Sequence, residues 1–543
     1  MVELKQKKMP VSCRKETKSV TDCLLELEDV SIICIGPASC LRTFYFQEGE
    51  LDILDHVFLC QLDQTDYLTG DIYSKLEKTV EQAVLLPDIK GIVLFAGCSD
   101  YIIQTDYDSM VLELEATYSL PFFQIWRGPI AKCQHNSKEE IKEIANILAD
   151  KKPRKHVESE KEIFKLPVLA SDIAGVASLI EDWNCLRVLY TPGSCTDSFA
   201  DNSLLAKQSN FYYTHFSDID LSLGGTSDIL SFICEHHDGK EDVCLMGSPL
   251  NHFVHGDYEE LSESLKMEDI SVLPFITEGF EEAAIGISKG LMDAGNYFLE
   301  NETKERTPKN QINLIGFTKL TLGNIINIDE LKEKLAWNNY ELNVIEGNLR
   351  DAFSSILVGQ VNWIVSEEGL DLAKWLQKNY QIPYIVDLPI GRLGFERCIE
   401  QLTPFCDIQL IDRDEEVRDI ERTLQKKHVL LLGRPSINEG LEKMLQLEFE
   451  CQSVTSRTYL PTENLAYFYQ DKAVGFSTIE ELAAEKRSYD VIIGDSAYQK
   501  GCQFYFPKAS FIPLNDGVVS GSVSEKTMSL TGISGNNWLT SFL

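Results

Sequence analysis

Short, nearly continuous apolar runs alternate with amphipathic helical stretches through almost the whole chain. The runs VSIICIG, GIVLFAG (91–97), LRVLYTPG (186–193), DVCLMGS (242–248), INLIGF (312–317), VNWIVSE (361–367), HVLLLG (428–433) and YDVIIGD (489–495) are the length of single strands. They lack the in–out polar alternation of a half-exposed sheet, so they read as strands covered on both faces. Between them, segments such as IDELKEKLAWN (328–338), GLDLAKWLQKN (369–379) and INEGLEKMLQL (437–447) repeat apolar residues at three- and four-residue spacing, as amphipathic helices do. This alternation specifies an α/β fold of several Rossmann-like parallel-sheet domains. A chain of 543 residues is too long for one core. The charged stretch ADKKPRKHVESEKEIFK and the polar stretch ENETKERTPKNQ break the pattern. The expected domains are therefore 1–150, 166–303, 310–405 and 425–543, with 151–165 as a linker.

Charge narrows the partners. With 50 Lys+Arg against 85 Asp+Glu, the formal charge is −35. Such a chain is repelled by phosphate backbones and anionic lipid, so neither nucleic acid nor membrane is expected as a partner. No run reaches the roughly 18 to 20 apolar residues of a membrane helix, and the polar start MVELKQKKMPVSC lacks the apolar core of a signal peptide. The expectation is a cytoplasmic protein. In that reducing compartment its 15 cysteines are poor candidates for a disulfide framework and better ones for metal binding. Cysteines inside apolar runs, such as Cys34, read instead as small buried hydrophobes.

A supersecondary unit is used twice. SIICIGPASC, ending at Cys40, is echoed by LRVLYTPGSC, ending at Cys195; each is a strand followed by a Gly/Pro/Ser turn and a cysteine. Both are followed by an acidic polar segment (LDQTDYLTGD, 62–71; FSDIDLSLGGTSD, 216–228), then a helix and another strand. In the first unit Cys98 follows that next strand and Cys13 lies upstream of Cys40. Ligands of parallel α/β folds gather at the carboxyl ends of strands, where Cys40 and Cys98 would lie among Gly36, Ser39 and Gly97. Iron–sulfur clusters generally take four thiolates. Cys13, Cys40 and Cys98 from one unit and Cys195 from its repeat would supply them.

The runs VSIICIGPASC, YLTGDIYSKLEKTV and IKGIVLFAGCSDYIIQTDYDSM resemble the first domain of nitrogenase component 1 subunits. The segments VLYTPGSC, LSLGGTSDI, HGDYEEL (255–261), INLIGF, IPYIVDLPIG (382–391) and YDVIIGDS are similar to the partner subunit of that family. The chain thus looks like a shortened α-type first domain fused to a β-type subunit. The resemblance implies a cluster-binding domain at 1–150, a second cluster-facing domain at 166–303, and two Rossmann-like domains after it. It implies an oxygen-sensitive oxidoreductase component whose iron–sulfur cluster takes low-potential electrons from an ATP-dependent iron protein and passes them to a substrate or cofactor. A non-catalytic scaffold for metallocluster assembly, or a degenerate binding protein without a cluster, remains open beside it. A second component 1-like subunit, or a homodimer, is the expected assembly.

Three departures from the family pattern shape those expectations. In the second unit the early cysteine position falls near Ala170 and the late one within Gly247–Leu250, leaving only Cys195. The resemblance then implies a single [4Fe–4S] cluster rather than an eight-iron P-cluster. The cysteine and histidine that anchor the molybdenum–iron cofactor correspond to Ser366 and a position near Asn515, so that cofactor is not expected. The first half, shorter than a family subunit, would lack the cleft found there. No dinucleotide or Walker fingerprint follows Gly316 or Gly433, so any ATP hydrolysis belongs to a separate protein. Cys234, His236, His237 and Cys244 read as a helix end and a strand cysteine rather than a zinc site. His252 and His255 read as surface histidines, and Asp106 and Asp108 as helix-starting carboxylates. The sequence identifies no catalytic residue.

Overall fold

The computed structural model describes residues 5–6, 20–27, 29–46, 56–128, 135–153, 164, 166–191, 211–214, 226–237, 239, 241–250, 258–300, 302, 307–409, 424–460, 473–520 and 529–543. They form two compact units. One comprises Met1–Ala174, Leu186–Asp201 and Leu205–Glu282; the other comprises Gly175–Cys185, Asn202–Leu204 and Ala283–Leu543.

The first unit carries two sheets. The short strand β1 (Lys5–Gln6) belongs to the second of them. The first is built from β2 (Val30–Gly36), β3 (Val57–Gln61), β4 (Gly91–Ala96) and β5 (Phe122–Trp126), in the order β3-β2-β4-β5, all parallel. The second contains β6 (Cys185–Leu189), β7 (Phe211–Tyr213), β8 (Asp242–Met246) and β9 (Val272–Phe275), in the order β7-β6-β8-β9, with β1 antiparallel on the β7 edge. The other unit repeats the design. β10 (Gln311–Ile315), β11 (Glu341–Val344), β12 (Val361–Ile364) and β13 (Tyr384–Val386) lie in the order β11-β10-β12-β13. β14 (His428–Leu432), β15 (Ser453–Arg457), β16 (Val491–Gly494) and β17 (Ser510–Pro513) lie in the order β15-β14-β16-β17.

All four sheets share one topology: second strand, first, third, fourth. The chain reverses its winding direction between the first and third strands. That switch point opens a crevice at their carboxyl ends, where α/β folds place ligands. The expected α/β architecture is therefore present four times over.

The sequence pattern explains why. Every residue of VSIICIG in β2 is buried. Alternate side chains enter two different cores: Ile33 and Ile35 pack with Leu94 and Ala96, whereas Ile32 and Cys34 pack with Val93 and Phe95 on the opposite face. A strand covered on both faces cannot alternate apolar with polar. Helices supply the cover. In Ile72–Ala83 the buried residues are Ile72, Leu76, Val80 and Ala83, a stripe at the helical repeat. The preceding turn of helix, Gln64–Thr69, starts at a capping box between Asp63 and Asp66 and ends at Gly70 in the left-handed conformation. Asp106 caps helix Tyr107–Tyr118, its side chain accepting from Ser109 N at 3.1 Å, as the sequence led us to expect. His236 ends helix Thr226–His236 and Cys244 is buried in β8, so that segment also has its expected form. Among the described residues no helix is long and apolar enough to cross a membrane.

Candidate functional site

In the first sheet the switch-point strands are β2 and β4, paired in register with Ile35 opposite Ala96. The chain leaves β2 through Gly36 and Pro37 into helix Ala38–Phe46, whose third residue is Cys40. It leaves β4 through Gly97 into helix Cys98–Ile102, whose first residue is Cys98. Adjacent parallel strands lie roughly 4.8 Å apart, so the topology brings the two cysteines to neighbouring strand ends. Both are half-buried, unlike Cys34, which is enclosed in the core. Burial pushes the Cys34 thiol up to about 12, as expected of a small hydrophobe. Cys13 and Cys195 lie outside the described residues, as do His252 and His255.

Three glycines line this crevice. A methyl group on Gly128 would overlap Cys98 Sγ, and its φ of +100° is a conformation that L side chains rarely adopt. A methyl on Gly36 would sit 3.0 Å from Arg127 Nη2 and 3.9 Å from Cys40 Cβ; one on Gly97 would sit 3.5 Å from the same guanidinium nitrogen. The Arg127 guanidinium lies against the positions of the missing side chains at Gly36 and Gly97, and Cys98 Sγ takes the one at Gly128, so the glycines admit these two groups to the strand ends. Among the described residues no three His, Cys, Asp or Glu side chains converge as metal ligands. The described half of the expected set is two thiols at neighbouring strand ends, and thiolates are the donors that iron–sulfur clusters take.

Residues that sequence reasoning did not single out complete the surroundings. Arg127 donates from Nη1 to Cys40 O at 3.3 Å and from Nη2 to Ile35 O at 3.0 Å, and its carbonyl accepts from Cys98 Sγ at 3.6 Å. Burial raises the Cys40 thiol, and the guanidinium pulls against that shift. Asp100 is fully buried, accepting from Tyr107 Oη at 3.0 Å, Tyr67 Oη at 3.4 Å and Gly97 N at 3.3 Å. Burial pushes its carboxyl up to about 6, against the Tyr107 bond and the Arg127 charge.

The second sheet reaches this crevice through the loop after β9. Ser39 N donates to Gly279 O at 3.2 Å, and a methyl on Gly279 would overlap Ser39 Oγ. The Phe280 ring meets Tyr67 edge-on at 5.9 Å. Asp172 fixes that loop, accepting from Glu278 N and Gly279 N, each at 2.8 Å. At the strand end where a late cysteine was sought, Gly247 makes room for Tyr258, and Thr277 Oγ1 bonds the Gly247 backbone. Ala170 is buried.

In the other unit the same strand-end positions are filled differently. Ser366, after β12, is fully buried and donates to Gly316 O at 2.7 Å. Asn515 is engaged through its carbonyl by Asn324 at 3.3 Å and through Oδ1 by Ser496 N at 3.3 Å. Arg434, after β14, is wholly enclosed and paired with Glu368; Glu367 lies 3.7 Å away. Glu367 accepts from Ser436 N at 2.7 Å and Oγ at 2.8 Å, starting helix Pro435–Leu447. Tyr459 donates to Asp516, whose amide donates to Asp495 at 2.8 Å.

Residues 176–504 match the model of a family described as nitrogenase component 1 type oxidoreductase. Over 119 residues the chain is 33% identical to a light-independent protochlorophyllide reductase subunit of Synechocystis sp. (strain ATCC 27184 / PCC 6803 / Kazusa), a stretch covering 21% of this chain and 23% of that relative. Among solved structures, nitrogenase Cp1 at pH 6.5 superimposes with a TM-score of 0.55 at 16% identity, covering 71% of this chain and 94% of that one. Nitrogenase Cp1 at pH 5 gives 0.50 at 12% identity over 72% and 91%. At such identities the structural likeness speaks for the fold.

Proposed function

The chain belongs to the nitrogenase component 1 type oxidoreductases, and from that premise we propose that it is a cytoplasmic electron-transfer component served by an ATP-dependent iron protein. The observation that carries the reading is the pair Cys40 and Cys98 just after the two switch-point strands of one sheet, with Gly36, Gly97 and Gly128 beside them. Cys13, Cys40, Cys98 and Cys195 are the proposed ligands of a [4Fe–4S] cluster, which when bound supplies a one-electron carrier of low potential. Cys40 and Cys98 are presented on helix starts at adjacent strands, and Gly279 O accepts from the amide of the buried Ser39 next to Cys40. The proposed units are a cluster-binding domain at 1–150, a second cluster-facing domain at 166–303, and Rossmann-like domains at 310–405 and 425–543.

Anaerobic purification with iron and sulfide counts, then EPR after dithionite, tests this. About four irons per chain and a reduced S = 1/2 signal are expected for one four-iron cluster. Cys40→Ala and Cys98→Ala should each abolish the signal, whereas Cys34→Ala should leave it. A wild-type chain without iron sinks the proposal. Mixing with an iron protein and ATP then separates an electron-transfer component, which turns over, from an assembly scaffold, which does not.

A further inference from the structure

Arg127 touches the segments of both described cysteines. Its amide donates to Ala96 O at 2.9 Å, fixing it beside the end of β4. Its carbonyl accepts from Cys98 Sγ at 3.6 Å, while its guanidinium donates to Ile35 O and Cys40 O at the end of β2. The guanidinium carbon lies 6.0 Å from the centroid of Phe95. Gly36 and Gly97 are the residues that let it reach there, since a methyl on either would press on Nη2. One side chain thus spans the crevice between the two strand ends.

We propose that Arg127 is a positioning residue for the redox site: it ties the Cys40 and Cys98 segments together and sets a permanent positive charge against the anionic group their thiols hold, raising its reduction potential. This inference rests on the cluster reading above. A guanidinium does not lose its proton in proteins, so the charge is present at every working pH. One electron arriving from the reductase component adds one negative charge at the site, with no bond made or broken, and a nearby fixed cation stabilises the more negative state. Charge and hydrogen bonding around the ligands are established levers on cluster potential. Arginine rather than lysine suits the place because its planar fork can serve two carbonyls at once.

The experiment compares full-length wild type, Arg127→Lys and Arg127→Met, purified anaerobically. Each is measured for iron and sulfide content, for EPR-monitored midpoint potential with dithionite and mediators, and for thermal melting. With iron retained, Arg127→Met should shift the reduction equilibrium by about tenfold toward the oxidised form, about 59 mV for one electron. Arg127→Lys should stay closer to wild type. Loss of iron from Arg127→Met but not from Arg127→Lys, with melting unchanged, supports placement of the cysteines by a cation. Iron retained in Arg127→Met at the wild-type potential overturns the inference alone, as does Arg127→Lys falling as far as Arg127→Met or losing its iron with it. Wild type without iron overturns the cluster reading and this inference together.

Discussion

Two strand-end crevices of identical topology, β2/β4 and β14/β16, have been given opposite chemistry. Each has an arginine beside it. At β2/β4, Arg127 reaches over Gly36 and Gly97 to donate to main-chain carbonyls, and two thiols stand half-buried. At β14/β16, Arg434 is enclosed with Glu367, Glu368, Tyr459 and Asp516, and the strand ends are packed shut by their own side chains. The fold supplies the crevice in both cases. What stands at the strand ends differs: Gly36 and Gly97 are followed by segments carrying Cys40 and Cys98 in one, and Gly433 by the buried Arg434, Pro435 and Ser436 in the other.

The largest effect expected from breaking this contrast is at the filled crevice. Arg434→Met strips Glu368 of its partner in a fully buried setting. Removing one member of a buried ion pair typically costs about 3–5 kcal/mol because the other charge stays unpaired. Replacing both, Arg434→Met with Glu368→Leu, should recover only part of that loss, because Glu367 and Asp516 also lose the cation beside them. Urea unfolding of the full chain measures it; a cost below about 1 kcal/mol for the single variant would mean the pair is not desolvated as described.

The fold was legible in the amino-acid sequence, and so was the placing of Cys40 and Cys98 just after neighbouring strands. The continuous apolar runs matched strands because two-sided burial leaves a local signature, and the repeated Gly/Pro/Ser-Cys turn directed attention to strand ends. Arg127 was not legible. Its partners, Ile35, Cys40 and Cys98, lie far away in sequence, and its role follows from β5 lying next to β4. Its local signal was weak: an arginine directly after a strand, followed by glycine. Arg434 was equally hidden, because its acidic partners Glu367 and Glu368 belong to a different sheet. Asp100 was hidden because burial sets its behaviour, and burial of a polar residue leaves no periodic trace.

Asp100 gives the next effect in size. Its carboxyl is pushed up by burial to about 6 from an ordinary value near 4. The folded state therefore holds a proton that the unfolded chain releases between those values. Stability from this group is fully present below about pH 4 and is lost as pH rises through about 6, to an extent on the order of 2–3 kcal/mol. Asp100→Asn should flatten that part of the stability–pH profile, measured as the slope of unfolding free energy between pH 4 and pH 7. An unchanged slope would place the titration elsewhere.

The smallest effect sharpens what the glycines of the β2/β4 crevice do. Gly70 and Gly128 both have positive φ, +76° and +100°. Nothing lies within 4 Å of a methyl placed on Gly70, whereas one on Gly128 meets Cys98 Sγ. Gly70→Ala should therefore show the conformational penalty alone, about 1–2 kcal/mol, with iron content unchanged. Gly128→Ala should show at least the same penalty together with loss of iron, because Cys98 must move to admit the methyl. Melting curves and iron counts on the two variants separate backbone strain from displacement of the thiol. Equal iron in both would mean the glycine at 128 serves the turn and not the placement of Cys98.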